Sequence, residues 1–272
     1  MIPNTDNITY FTTFNEDGYL LYGKSWIRSF VDVADVNKNI KARIYCEGFV
    51  PDIPHESIEY VDFGQAIPEH GRWKTEYTQR TEHMSYTKKM TIRFSHKAFV
   101  IQHALDNPSD RYMVWLDGDC VFKPADHTMF ASTVTNNKVL ACQVEAMKGT
   151  TISHVESGIL VFDTKHPDLE RLNSAFKILY RPAQVIKMPN DAEDTKADGN
   201  WQDYGPYDGF ILHRALVVSE VAFENLNATD QLDRPVSAAS STFYHPELKT
   251  RFVHNIGPAG KREYTQHDGA TR

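Results

Sequence analysis

The chain has 272 residues, 41% of them hydrophobic and 12% aromatic, enough for one large domain with a real core. A net charge of −7 excludes a surface coated in basic residues for nonspecific nucleic-acid binding. The charge is uneven, however. From Arg72 to Lys97 seven basic residues face only Glu76 and Glu82, an island that suits an anionic ligand or a solvated helix face.

In chain order, Ile8 to Phe14 reads as a first strand closed by the polar turn Asn15-Glu16-Asp17-Gly18. Tyr19 to Val33 carries Leu20, Leu21, Trp26, Ile27, Phe30 and Val31 at helical spacing. Ile40 to Cys46 and Ile58 to Phe63 are the next strands. The basic stretch Arg72 to Met90 shows no clear period, and Ile92 to Leu105 reads as a helix stopped by Asn107-Pro108. A continuous apolar run, Tyr112 to Leu116, has the character of a strand buried on both faces. After it come a short helix from Pro124, strands at Val139–Val144 and Gly158–Phe162, and a helix from Pro167 to Leu179. Pro189 to Tyr204, rich in aspartate, reads as a loop. A late helix, Gly209 to Val217, and a short strand, Arg251 to His254, complete the pattern. Strands alternating with helices predict an α/β domain with a mostly parallel central sheet flanked by helices. The whole chain, 1–272, reads as one such domain, its first half to about residue 122 and its second from about 123.

The chemistry concentrates in RYMVWLDGDCVF. The buried strand runs into Asp117 and Asp119, and ligands of open α/β sheets bind beyond the carboxyl ends of strands. Two hard oxygen ligands there suit Mg²⁺ or Mn²⁺. Cys46, Cys120 and Cys142 have no metal-type spacing and read as buried reduced thiols. With no basic leader and no membrane-spanning apolar segment, the expectation is a cytoplasmic protein without a membrane partner, in which the sequons at Asn7 and Asn227 arise by chance.

Four segments, in order, resemble the GT-A glycosyltransferases, and glycogenin-like and lipopolysaccharide galactosyltransferase-like members in particular. FTTFNEDGY resembles their opening nucleotide-binding turn, and VWLDGDCVF their Asp-x-Asp motif. HVESGILVFDTKHP resembles the strand that lines the sugar pocket. HNIGPAGK resembles a His-x-x-Gly-x-x-Lys element, with Lys261 one residue later than the family spacing. The resemblance implies a GT-A (Rossmann-like) fold with a C-terminal metal-binding segment, a nucleoside diphosphate sugar as donor, most simply a UDP-sugar, and Mn²⁺ or Mg²⁺ as cofactor.

By the same resemblance Asp117, Asp119 and His254 hold the metal. Thr12, Thr13, Asn15, Asp117, Gly118, Ser157, Gly257 and Lys261 bind the donor, joined on electrostatic grounds by Arg93 and Lys97. Asp208 and Glu156 are the carboxylates expected nearest the reacting sugar, although Asp208 also suits a helix cap. The resemblance does not specify the acceptor, for which a glycan, a lipid-linked sugar, a protein and a nucleobase are all open. Compact phage enzymes that sugar-modify hydroxymethylated cytosine are one resemblance, with the basic island, Trp73 and Tyr77 as the DNA contact. Two other readings remain open. Asp117-Gly118-Asp119-Cys120-Val121 also satisfies the haloacid-dehalogenase-like phosphohydrolase pattern, with Asp117 as nucleophile and Asp119 as general acid. A non-catalytic nucleotide-sugar-binding module is the other.

Overall fold

The computed structural model describes residues 6–82, 86–146, 153–187, 208–226 and 245–254, with the backbone alone described at 86–90, 93, 145–146, 153, 186–187 and 254. Its strands are β1 (Ile8–Asn15), β2 (Ile40–Glu47), β3 (Ile58–Asp62), β4 (Tyr112–Leu116), β5 (Cys120–Phe122), β6 (Leu140–Ala146), β7 (Ser153–Asp163), β8 (Glu224–Asn225) and β9 (Phe252–His254). Seven form one sheet in the order β3-β2-β1-β4-β7-β6-β8, and β5 pairs with β9 in a separate ribbon. The expected mostly parallel sheet is present. β3, β2, β1 and β4 run parallel, β8 runs parallel to β6, and β7 alone is antiparallel to both of its neighbours.

The helices are α1 (Glu16–Gly18), a π-helical stretch Tyr19–Gly23, α2 (Lys24–Ala34), α3 (Phe63–Ala66), α4 (Pro68–Thr81), α5 (Tyr86–Asp106), α6 (Phe130–Thr135), α7 (Leu169–Leu179), α8 (Pro182–Lys187), α9 (Asp208–Ser219) and α10 (Pro246–Arg251). They divide the core into two layers. Phe11, Trp115, Leu160 and Phe162 pack under α4, α5, α7 and α9, while Tyr10, Phe14, Val114 and Val161 pack under α2 and α6. Side chains alternate across a strand, so neighbours in sequence enter opposite cores. β4 is buried at all five positions because both of its faces are covered.

Several boundaries differ from the sequence reading. The basic stretch is ordered as α4 and the start of α5. Pro68 opens α4, where a missing N–H costs nothing, and His70, Trp73, Tyr77 and Thr81 form its buried stripe. That stripe mixes polar and apolar residues, which hides its period. Residues 124–129 are not helical, and the helix expected there begins at Phe130. β7 starts at Ser153 rather than Gly158, bringing Glu156 and Ser157 inside the strand. The aspartate-rich 189–204 segment lies outside the described residues.

Candidate active site

β4 delivers Asp117 to the carboxyl edge of the sheet, where β1 and β4 are adjacent but lead away in opposite directions in strand order. This is the switch point at which α/β sheets take ligands. Because β7 is antiparallel to β4, its amino-terminal half meets the same edge. Leu116 pairs with Ile159, and the Asp117 N–H donates to the Gly158 carbonyl at 2.8 Å. A strand that begins where its neighbour ends thus places Glu156, Ser157 and Gly158 beside the two aspartates. The Gly158 N–H in turn donates to Glu156 Oε1 at 3.0 Å.

Lys97 of α5 is the hub. Its Nζ donates to Asp117 Oδ1 at 2.7 Å, to the Ser157 carbonyl at 2.5 Å and to Ser157 Oγ at 2.9 Å. Asp208 Oδ2, at the start of α9, is 3.3 Å away, off the line of a hydrogen bond and with no other partner. Lys97 also lies 5.1 Å above the Trp115 ring, whose Nε1 donates to Asp117 Oδ1 at 2.8 Å. The ammonium therefore has at least as many acceptors as protons. Lys97 organises carboxylates and the β7 backbone, so its expected contact with a diphosphate is replaced by a role in positioning Asp117 and Ser157.

Burial pushes the Asp117 carboxyl above the ordinary carboxylate range. Lys97 pulls it back, and Asp119 adds a like charge that pushes it up again. Burial acts the other way on Lys97, but Asp117 and Asp208 outweigh it and hold the ammonium above the usual lysine value. Asp208 keeps 4% of its side-chain surface, Lys97 13% and Asp117 30%, so the cluster runs from the interior at Asp208 to the rim at Asp117. Gly118 separates the aspartates for a steric reason. A Cβ there would stand 2.5 Å from Phe14 Cε1 and 2.9 Å from Tyr22 Cε2.

The other expected residues are placed as follows. Thr13 faces α5, whereas Thr12 points into the opposite core, is fully buried and leaves its hydroxyl without a partner. That corrects its expected contact with the base or ribose, since adjacent strand residues cannot face one ligand. Asn15 accepts from the Gly18 N–H at 2.8 Å and is the cap of α1. Trp73 and Tyr77, expected to contact DNA, are buried at 6% and 0% exposure, stacked 4.8 Å apart, with Trp73 Nε1 donating to the Tyr180 carbonyl at 2.7 Å. Their faces are closed to a base. The side chains of Arg93, Lys88 and Lys89, and all of Gly257 and Lys261, lie outside the described residues.

Asp119 is half-buried beside Asp117. The β5–β9 ribbon pairs Cys120 with His254, so the backbone brings that histidine position next to Asp119 from 135 residues away. Among the described residues no three His, Cys, Asp or Glu side chains cluster as metal ligands do, and the His254 side chain is not among them. Two carboxylates with an imidazole position opposite are a donor set that fits Mn²⁺ or Mg²⁺. Sequence reasoning overlooked Trp115, although its place two residues before Asp117, on the same strand face, was a usable signal.

No protein-family profile and no curated protein matches the chain. Among solved structures, it is similar to a glycosyltransferase involved in the glycosylation of the major capsid of PBCV-1, with 14% identity and a TM-score of 0.46 over 94% of this chain and 98% of that one. It is also similar to the galactosyltransferase LgtC in complex with donor and acceptor sugar analogs, with 12% identity and a TM-score of 0.48 over 97% and 95%. The apo-form glycosyltransferase GlyE of Streptococcus pneumoniae TIGR4 aligns at 13% identity and a TM-score of 0.40, over 82% of this chain and 45% of that one. Among the described residues no helix is long and apolar enough to cross a membrane.

Proposed function

We propose that the chain is a metal-dependent GT-A glycosyltransferase that moves a sugar from a nucleoside diphosphate, most simply UDP, to an acceptor hydroxyl. One observation carries this reading. The Asp117-x-Asp119 pair at the switch point shares its rim with Ser157-Gly158, Lys97 and Asp208, which come from three other elements. Breaking the bond between sugar and diphosphate builds negative charge on the leaving group. A divalent cation held by Asp117, Asp119 and His254 would supply the Lewis acid that offsets it.

The chain's own residues do the rest. Lys97 opposes the upward push that burial gives the Asp117 carboxyl and fixes the β7 entrance. Asp208 offers a carboxylate oxygen that is ion-paired with Lys97 but has no hydrogen-bond donor, and we assign it to a hydroxyl of the donor sugar. Glu156, tied to the Gly158 N–H, is assigned to the acceptor side as the second carboxylate. A glycan hydroxyl is the acceptor class retained, because burial of Trp73 and Tyr77 removes the aromatic contact on which a DNA acceptor relied.

The test is hydrolysis of UDP-, GDP- and CDP-sugars without acceptor, with and without Mn²⁺, beside Asp119→Ala. Slow release of one nucleotide, dependent on metal and lost in the variant, is the expected result. Phosphatase activity on simple monoesters in its place would establish the phosphohydrolase reading. Metal-dependent nucleotide-sugar binding without turnover, even with glycan acceptors supplied, would establish the binding module.

A further inference from the structure

Two donors converge on one oxygen of Asp117. Lys97 Nζ donates to Oδ1 at 2.7 Å and Trp115 Nε1 donates to the same oxygen at 2.8 Å, while Oδ2 takes neither bond. Two donors fill the two lone pairs of a carboxylate oxygen. Oδ1 is therefore engaged within the chain, on a side chain that still keeps 30% of its surface at the rim.

Of the two donors, the indole is the one that cannot move away. Lys97 is a flexible ammonium shared with Ser157 and with the Asp208 carboxylate 3.3 Å off, and it can redistribute its protons among them. Trp115 is 2% exposed on the buried strand β4, two residues before Asp117, so both side chains rise from one face. Its ring stands edge-on to Phe11 at 5.6 Å and 73°, with the Lys97 ammonium 5.1 Å from its centre. Packing fixes the ring, and the ring fixes the direction of its N–H. Turning the Asp117 carboxylate fully outward would leave that buried N–H without an acceptor, so one carboxylate oxygen stays turned inward.

A carboxylate with one oxygen engaged can give a cation one oxygen and not two. That suits Mg²⁺ or Mn²⁺, because the narrow bite of a chelating carboxylate distorts an octahedron around a small ion. The larger and more flexible shell of Ca²⁺ takes carboxylates that chelate with both oxygens. This rests on the reading of Asp117 and Asp119 as cation ligands given above. We propose that Trp115 is a positioning residue of the cation site: by holding Oδ1 it makes Asp117 a one-oxygen ligand and so selects a small octahedral cation against Ca²⁺.

The experiment is titration of the full chain and of Trp115→Phe with Mn²⁺, read by electron paramagnetic resonance, with Ca²⁺ as competitor, alone and with UDP, GDP or CDP. The native chain should bind Mn²⁺ ahead of Ca²⁺. Trp115→Phe keeps a ring on β4 and removes the N–H. It should bind Mn²⁺ about tenfold to a hundredfold more weakly, the scale of losing a partner that orients a metal ligand, while Ca²⁺ loses less and the preference narrows. A variant that weakens both cations equally, or neither, overturns the inference alone, since packing damage does not move the ratio. A second measurement needs no variant. The Trp115 indole N–H of the native chain should stay protected from solvent exchange, by NMR, when Mg²⁺ is bound; free exchange there also overturns the inference. A native chain that binds no Mn²⁺ under any of these conditions overturns the metal-dependent transferase reading with it.

Discussion

The two faces of the central sheet are built from the same strands and do opposite things. On the α2 face, Tyr10, Trp26, Phe30, Phe122, Phe130 and Phe252 interlock as mostly edge-on rings around a fully buried His127, and charge meets that core at its margin, where Arg251 lies 5.2 Å over the Phe130 ring. On the α5 face a comparable aromatic core stops short of the carboxyl edge, where Lys97, Asp117 and Asp208 replace it. The sorting is by residue parity. Leu116 and Thr12 face the sealed side, Asp117 and Thr13 the charged one. A sheet whose strands are covered on both faces can therefore keep one face for cohesion and give the rim of the other to chemistry.

The largest expected effect is at the charged rim. Lys97→Met leaves the buried Asp208 and the half-buried Asp117 without their cation, at a cost of up to about 3–5 kcal/mol, the figure for losing one partner of a fully buried pair. Denaturant unfolding should show that loss, and calorimetry should show nucleotide binding abolished in the protein that remains folded. An unchanged midpoint would mean that Lys97 is solvated and not a hub.

The sealed face should respond differently. Phe30→Ala removes a ring stacked on Trp26 at 5.8 Å and set edge-on to Phe122 at 5.4 Å, at a cost of about 3–5 kcal/mol. Nucleotide affinity of the folded protein should stay within a factor of about two, which would show that the faces are energetically separate. A parallel loss of affinity breaks the comparison.

Acid should weaken both faces. Burial, the main cause in each case, pulls His127 on the sealed side down to about 3 and His70 on the other down to about 4. Both rings stay neutral in the folded chain, while the unfolded chain protonates them below about 6.5. The stability they confer is present above that pH and is lost as pH falls from about 6.5 toward 4, by about 1.4 kcal/mol per unit for each ring. Melting temperatures across that range should fall accordingly, and His127→Gln should reduce the slope by the contribution of that one ring, about 1.4 kcal/mol per unit.

The smallest and sharpest contrast is between adjacent threonines. Thr12→Val replaces a buried, unpartnered hydroxyl by an isostere and should be neutral or stabilising by up to about 1 kcal/mol. Thr13→Val removes a hydroxyl that meets Tyr45 and Glu47 and should cost about 1 kcal/mol. Equal effects at the two positions would show that parity does not sort them.

By itself the sequence determined the layered α/β sheet, the buried β4 and the two aspartates at its end, because a five-residue apolar run and a strand–helix alternation are local patterns that survive without partners. It also marked Glu156, Ser157 and Asp208 as worth holding. Local pattern misled where a helix buries a mixed stripe, as α4 does with His70, Trp73, Tyr77 and Thr81, and where two neighbours in one motif face apart, as Thr12 and Thr13 do. Only the tertiary structure decided that Lys97 serves carboxylates and backbone and that Trp73 and Tyr77 are core. Those facts depend on strand order, on the antiparallel setting of β7 and on where α5 crosses the rim. Each is a contact between residues distant in sequence, and no window along the chain contains both partners.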